Sequence, residues 1–464
     1  MRIYNTATRK KEELVPGPGG RIGIYACGPT VYNFIHLGNA RPLVIYDVLR
    51  RYLIWRGYAV TYVQNFTDID DKMINRARSE GVTVPEIARR FIDEYWKDAE
   101  GLGVCRADIH PRATEHIGEI IGLIRRLEKK GLAYASGDGV YFDTAAHEDY
   151  GRLSGQNPDD LMAGARVDES EQKKNPMDFA LWKFEKPGEP SWDSPWGKGR
   201  PGWHIECSAM AMKYLGETVD IHCGGADLVF PHHENETAQS EGATGKPFVR
   251  YWMHNGFISV DNQKMSKSRG NFFTIREIAE KYPLEAVRFF LLSAHYRSPI
   301  NYSEDQLAQA QAALARLYSA RDNWVASAAG QMACDRSVSE QMASLVSATR
   351  QRFIDAMDDD LNTADALAAL FALVREVNTL NSAEPSYADS AAALGALEEL
   401  CGVLGILVRK AQLEMSAHVQ ALVDARAAAR ADKNWAESDR LREELARLGY
   451  IVEDTREGQK LRKA

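Results

Sequence analysis

The run from Arg21 to Phe66 constrains the fold more than any other part of the chain. Arg21 to Cys27 reads as a short strand, Gly28 and Pro29 break it, and Leu43 to Ile54 carries apolar residues at helical spacing up to Gly57. Asn39 is expected to cap that helix, with Pro42 in its first turn, where a missing amide proton costs little. Ala59 to Phe66 then returns to strand character. Strand, helix and strand in this order predict a right-handed parallel unit whose functional groups sit on loops at the strand carboxyl ends. The expected fold class is α/β, a Rossmann-type parallel sheet that binds nucleotides.

An amphipathic helix from about Arg112 to Gly131 interrupts this pattern, and the charged, Pro- and Trp-rich stretch up to about Gly199 reads as an insertion. Val219 to His222, Val249 to His254 and the run through Phe257 to Val260 predict further strands, which resume the parallel half. Beyond about Tyr302 the composition shifts to Ala, Leu, Arg, Glu and Gln with few β-branched residues, so long helices in a bundle are expected through about Lys410. The tail is read as one charged helix from Val419 through about Leu448, a stop at Gly449 and a strand-like Tyr450 to Val452. The division that follows is 1–110 and 201–301 for the two halves of the α/β domain, 111–200 for the insertion, 302–410 for the bundle and 411–464 for a small carboxyl-terminal domain.

Composition excludes several classes. Charged residues make up 26% of the chain and hydrophobic ones 45%, the balance of a globular protein rather than a disordered one. No stretch approaches the roughly 18 uninterrupted apolar residues of a membrane span, and Met1 to Lys11 has no apolar core of a signal peptide, so no membrane partner and a cytoplasmic location are expected. Cys27, Cys105, Cys207, Cys223, Cys334 and Cys401 are too scattered for a disulfide framework, and most are expected to be reduced and buried. The net charge of −8 provides no overall attraction for nucleic acid. From Val419 to Ala464, however, ten basic residues face nine acidic ones, which permits RNA contact without diagnosing it.

His36-Leu37-Gly38-Asn39 lies between the first strand and its helix, where helix-start amides face phosphate and an imidazole can donate to it. Alone, the pattern is a weak signal, and a turn histidine beside a cap is the readier reading of it. About 225 residues later Lys264-Met265-Ser266-Lys267-Ser268, followed by Arg269-Gly270-Asn271, forms a polar loop whose two ammonium groups suit the charge that develops on a triphosphate. With both motifs in place the chain resembles the class I aminoacyl-tRNA synthetases, whose signatures take the forms H-x-G-H and K-M-S-K-S. Asn39 departs from the fourth position of the first. At least some cysteinyl-tRNA synthetases are similar to this sequence there.

Cys27, Cys207 in Gly202-Trp203-His204-Ile205-Glu206-Cys207-Ser208, and Pro231-His232-His233-Glu234-Asn235-Glu236 offer a third constellation. If the last segment is helical, His232 and Glu236 lie one turn apart on one face. Two sulfurs, one nitrogen and one oxygen suit Zn²⁺, yet spacing alone leaves open two buried cysteines and a surface His/Glu pair. The resemblance to cysteinyl-tRNA synthetases implies Cys27, Cys207, His232 and Glu236 as ligands of one Zn²⁺ per chain, in preference to His233 or Glu234. It further implies Gly28, Thr67 and Trp203 around the substrate amino acid, and leaves His204, His222 and His233 without assigned roles.

The same resemblance implies a catalytic domain with an insertion, a helical bundle and an anticodon-binding domain, which together ligate L-cysteine to its tRNA through cysteinyl-adenylate. His36, Gly38, Asn39 and Lys267 would bind ATP with Mg²⁺, and His36, Asn39, Lys264 and Lys267 would serve the chemistry. The zinc would recognise the substrate thiolate. Asp358 to Asn362 with Thr363-Ala364-Asp365-Ala366-Leu367 is similar to the family's helical domain, although an ordinary capped helix start explains the same letters. Arg430, Trp435 and Asp439 match positions that read the anticodon in the family, while Trp435 is equally suited to packing a small core. A monomer is expected in preference to a homo-oligomer. A ligase of the same fold that joins cysteine to a small amine would lack the tail, and a noncatalytic paralogue would not need intact signatures.

Overall fold

The computed structural model describes residues 1–155, 172–261, 263–264, 272–329, 337–380, 386–408, 417–448, 450–455 and 458–463. They divide into two units, Met1–Leu407 and Val408–Ala464. The first unit opens with a hairpin, β1 (Arg2–Asn5) antiparallel to β2 (Lys10–Glu13). The predicted strand–helix–strand then appears as β3 (Arg21–Ala26), α1 (Leu37–Trp55) and β4 (Ala59–Gln64), with β3 and β4 parallel from Arg21↔Ala59 to Ala26↔Gln64.

Two local expectations for α1 are corrected. The helix begins three residues early, and its N-cap is His36, not Asn39. Asn39 is the third helical residue and completes a capping box: its N–H donates to His36 Nδ1 (3.3 Å) and its Oδ1 accepts from the His36 N–H (3.2 Å). Pro42 consequently sits in the second turn rather than the first. The apolar period is a poor guide here because the first turn is mixed: Leu37 and Ala40 are buried in the core while Gly38 and Asn39 line a cavity.

After α2 (Asp71–Glu80), α3 (Val84–Gly101) and α4 (Ile117–Lys129), the insertion folds into an antiparallel sheet of β5 (Ala133–Ser136), β6 (Gly139–Phe142), β7 (Phe179–Phe184) and β8 (Gly199–Pro201). The chain next forms α5 (Trp203–Leu215), β9 (Val219–Gly225), α6 (Glu234–Thr244) and β10 (Val249–Asn255). Strand order in the all-parallel sheet is β10-β9-β3-β4. From β3 the chain runs outward to β4 on one side, and later enters β9 on the other. The gap between the carboxyl ends of β3 and β9 is therefore a topological switch point, the place where open α/β sheets bind ligands.

The third predicted strand of this half does not join that sheet. β11 (Ile258–Val260) pairs antiparallel with β12 (Gln263–Lys264) and, beyond α7 (Ile275–Ala279) and α8 (Leu284–Leu292), parallel with β13 (Ile300–Tyr302). Gly256, between β10 and β11, donates its N–H to Tyr296 O, and the chain turns there to pair with β13 instead. Four helices follow: α9 (Glu304–Ala329), α10 (Glu340–Asp358), α11 (Thr363–Leu380) and α12 (Tyr387–Leu404). Phe353, Leu370, Leu373, Leu397 and Leu400 are buried where they meet. Of Asp358 to Asn362, Asp358 ends α10 and the rest is the turn before α11; Asn362 Oδ1 accepts from the Asp365 N–H, as in a capped start, while Asp360 accepts from the Tyr4 N–H (2.7 Å).

In the second unit the single predicted helix is two, α13 (Ala417–Ala431) and α14 (Trp435–Arg447). Lys433 adopts φ +57° and Asn434 caps α14 through the Glu437 N–H, so the local Asp-Lys-Asn chemistry overrides the continuous charge pattern. β14 (Tyr450–Thr455) extends beyond the expected strand and pairs antiparallel with β15 (Gly458–Lys463). Gly449, like Met265 to Asn271 of the lysine motif, lies outside the described residues. No helix among the described residues is long and apolar enough to cross a membrane.

Candidate metal centre and active site

Cys27 follows β3, and its N–H donates to the Cys223 carbonyl of β9, which holds the thiol at the switch point. Cys207 comes from the second turn of α5 and is 2% exposed. His232 lies in the turn Val229–His233 ahead of α6, and Glu236 lies in the first turn of α6. The ligand atoms of all four lie within 4.8 Å of one another. The sulfurs are 3.9 Å apart, Cys27 Sγ is 3.6 Å from Glu236 Oε1, and His232 Nε2 is 3.0 Å from the same oxygen.

The donor set fits a zinc ion. Tetrahedral ligands with Zn–S near 2.3 Å and Zn–N or Zn–O near 2.0 Å stand roughly 3.3 to 3.8 Å apart, close to the separations observed. A second set, Cys27, His222, His233 and Glu236, satisfies the same mutual limit. Cys27, Cys207 and His232 line the adjoining cavity of about 800 Å³, whereas His222 and His233 do not. A metal that must keep a coordination position open to a substrate therefore fits the first set.

Within the cluster, each buried anion is held by a neighbouring donor. Burial pushes the Cys27 thiol up, and its hydrogen bond to Cys207 holds the Cys207 thiol down, to about 6. Burial also pushes Glu236 up, but His222 and His232 outweigh it and hold the carboxyl at about 2. Burial lowers His232, while Glu236 and Cys207 together raise it to about 10.

A histidine shell surrounds the four donors, and its roles were not legible beforehand. His222 Nε2 lies 3.0 Å from Glu236 Oε2, His204 Nδ1 lies 3.0 Å from His232 Nδ1, and His233 Nε2 lies 3.3 Å from Cys27 Sγ. The other ring nitrogen of His233 bonds to His254 Nε2 (2.7 Å), whose Nδ1 bonds to Thr6 Oγ1 (2.8 Å). Outer contacts of this kind fix a ligand's orientation. His254 carried no sequence signal, because its link to the site runs through β10 and the amino-terminal turn.

Gly28, Thr67 and Trp203 also line the cavity. A Cβ on Gly28 would come 1.6 Å from the Asn65 carbonyl oxygen, so only glycine permits this approach, and the Gly28 N–H donates to Asn65 Oδ1 (2.9 Å). Thr67 Oγ1 donates to Glu206 Oε2 (3.2 Å), a carboxyl that burial pushes well up. Trp203 is 41% exposed and its ring stands 4.3 Å from that of His232. His36, Gly38 and Asn39 border the same cavity, as do Tyr32, Lys72, Asp227 and Phe272, which the sequence reading missed.

The segment after the lysine motif is tied to the first signature: the Leu37 N–H donates to Phe273 O and the Ile275 N–H to Ile35 O. Lys264 is placed by its backbone in β12, and Lys267 lies outside the described residues. In the second unit Arg430 pairs with Asp454 (3.0 Å) and sits 5.7 Å over the Trp435 ring, and Asp439 pairs with Arg442 (3.6 Å). Trp435 is 56% exposed, so it does not pack a core.

Comparison with known proteins supplies the rest. Residues 13–312 match the family described as tRNA synthetases class I (C) catalytic domain, residues 352–408 a DALR domain, and residues 413–462 a cysteinyl-tRNA ligase anticodon binding domain. The chain is similar to the cysteine-tRNA ligases of Caldicellulosiruptor saccharolyticus (55% identical) and Clostridioides difficile (52% identical), with 99% of each chain covered in both cases. A Mycobacterium tuberculosis methionyl-tRNA synthetase in complex with methionyl-adenylate shares the fold, with a TM-score of 0.63 at 18% identity over 83% of this chain and 89% of that one. Parallel-sheet architecture, both signatures and full-length identity agree: the chain belongs to the cysteine-tRNA ligases, class I enzymes that join cysteine to tRNA with ATP.

Proposed function

We propose that this ligase selects cysteine through one Zn²⁺ held by Cys27, Cys207, His232 and Glu236. The observation that carries the reading is the convergence of these four donors, within 4.8 Å of one another, at the wall of the cavity that His36 and Asn39 also line. Bound there, zinc supplies a soft acid that prefers a thiolate strongly to a hydroxyl or a methyl group. Gly28 gives the amino acid room, Thr67 offers a hydroxyl and Trp203 covers it from solvent.

In the first step the cysteine carboxylate oxygen bonds to the α-phosphorus of ATP while the bond to the bridging oxygen of pyrophosphate breaks. In the second, the terminal adenosine hydroxyl of the tRNA takes the cysteinyl group and AMP leaves. His36, Gly38, Asn39 and the start of α1 hold the phosphates, and Lys264 and Lys267 stabilise the departing pyrophosphate with Mg²⁺ as counterion. Positioning and charge stabilisation carry such chemistry, so no protein nucleophile is needed. Arg430, Trp435 and Asp439 contact the anticodon; the exposure of Trp435 supports base stacking. The division into 1–110, 111–200, 201–301, 302–410 and 411–464, a monomeric state and a cytoplasmic location complete the reading.

Cysteine-dependent ATP/pyrophosphate exchange, with serine as control and zinc measured in the same preparation, tests it. One zinc per chain with exchange only for cysteine is the expected result. Strong serine exchange from zinc-loaded protein, or full cysteine preference without metal, would overturn the zinc assignment.

A further inference from the structure

Arg41 lies five residues past the N-cap of α1 and is fully buried. Its guanidinium donates to four main-chain carbonyls and, among the described residues, pairs with no carboxylate. Nη1 donates to Gly256 O (2.7 Å) and Phe257 O (2.9 Å), and Nη2 to Ser298 O (2.5 Å) and His295 O (3.3 Å). Burial pulls its pKa down to about 10, which leaves it charged at neutral pH. A buried cation without a counterion is costly, and four charge-assisted hydrogen bonds offset that cost. Filling this space needs only an apolar side chain, so the charge points to what the four carbonyls do.

They belong to two turns. Gly256 and Phe257 lead from β10 into β11, and His295 and Ser298 lead into β13. The turns are pressed together: the Gly256 N–H donates to Tyr296 O (2.9 Å), and a Cβ on Gly256 would stand 2.6 Å from Arg297 O and 2.7 Å from Ser298 O. Gly256, Phe257 and Pro299 line the same cavity as His36, Gly38 and Asn39. One side chain thus ties the helix that begins at His36 to the paired turns forming another part of the cavity wall.

We propose that Arg41 is a positioning residue for the adenylation step: it sets the spacing between the amino end of α1 and the Gly256–Phe257 and Ser298–Pro299 turns, and with it the seat of ATP. The proposal rests on reading this end of the cavity as the ATP site. A lysine keeps the charge but is a single point, unable to fork between two turns. The split between substrates separates positioning from general structural damage.

The test uses the full-length, zinc-loaded enzyme, comparing Arg41→Lys and Gly256→Ala with wild type in pyrophosphate exchange, normalised to active sites by an adenylate burst. Both variants should lower kcat/KM for ATP by about tenfold or more, because small displacements of positioned groups are costly in rate. Cysteine KM should stay within about twofold and zinc at one per chain. Arg41→Lys exchange within about twofold of wild type overturns the proposal, and so does a parallel rise of both KM values with zinc loss. If Arg41→Lys does not fold, Gly256→Ala, which leaves Arg41 in place and parts the same turns, decides alone. Wild-type protein without any exchange would instead remove the ATP reading, an outcome distinct from a failure of Arg41.

Discussion

Two buried polar clusters of the first unit, around Asp47 and around Cys27, are built from opposite inventories. At Asp47 each charge meets its complement. Oδ2 accepts from Arg288 Nη2 (2.5 Å) and Arg51 Nε (2.8 Å), Oδ1 accepts from the Cys105 N–H (2.9 Å), and Arg288 directs its other donors to the carbonyls of Leu102, Gly103 and Leu404. At Cys27 two sulfurs and a carboxylate converge among imidazoles, all groups that can bind a metal. A network of fixed charges closed on itself stabilises the fold; sulfur, imidazole and carboxylate donors that converge on one point suit a cation. Each cluster should therefore fail in its own way when altered.

The largest expected effect is at the open cluster. Cys207→Ser should lose the zinc and lower the cysteine-over-serine preference by about 1,000-fold or more, since a required polar contact is what rejects an analogue. Parallel exchange assays with metal analysis measure it, and an unchanged preference would break the comparison at its centre.

At the closed cluster, Asp47→Asn should cost about 3 to 5 kcal/mol in urea unfolding, because it strands a buried guanidinium, while zinc content stays at wild type. Its pH dependence has a fixed sign. Burial pushes the Asp47 carboxyl up, yet Arg288 and Arg51 outweigh it and hold it below its ordinary value. A depressed carboxyl contributes stability above the unfolded value near about 3.9 and loses it as pH falls through the folded one. The gap between wild type and variant should thus stay level from about pH 8 to pH 5 and close below about pH 4.

Smaller effects sharpen the contrast. His222→Ala removes the partner of Glu236 Oε2 and should weaken zinc binding by about 10- to 100-fold in competition with a chelator. Thr83→Ala breaks an exposed capping box at α3, far from both clusters in kind, and should cost only about 1 kcal/mol with no change in metal. A large zinc loss there would show that the two inventories are not independent.

Much of this molecule is legible in its letters. The strand–helix–strand run, the two signatures and the helical bundle rest on local periodicity and short motifs, which need no distant contact to be recognised. The start of α1 was misplaced because His36 and Asn39 cap each other through side chains, a pattern that a hydrophobic stripe does not register. The break at Lys433 was missed for a similar reason: three polar residues within a charged helix differ little in composition from the helix itself.

By itself, the sequence determined the elements, the parallel class of the sheet and, through resemblance, which four residues to suspect as ligands. Only the tertiary structure decided that Cys27 meets Cys207 across 180 residues and Glu236 across 209, that histidines stand behind them, and that Arg41 binds two turns more than 200 residues away. Helix and strand periods are written within a few residues, whereas convergence depends on strand order and register. The order β10-β9-β3-β4 creates the crevice, and the donors reach it from β3, α5, the turn Val229–His233 and α6.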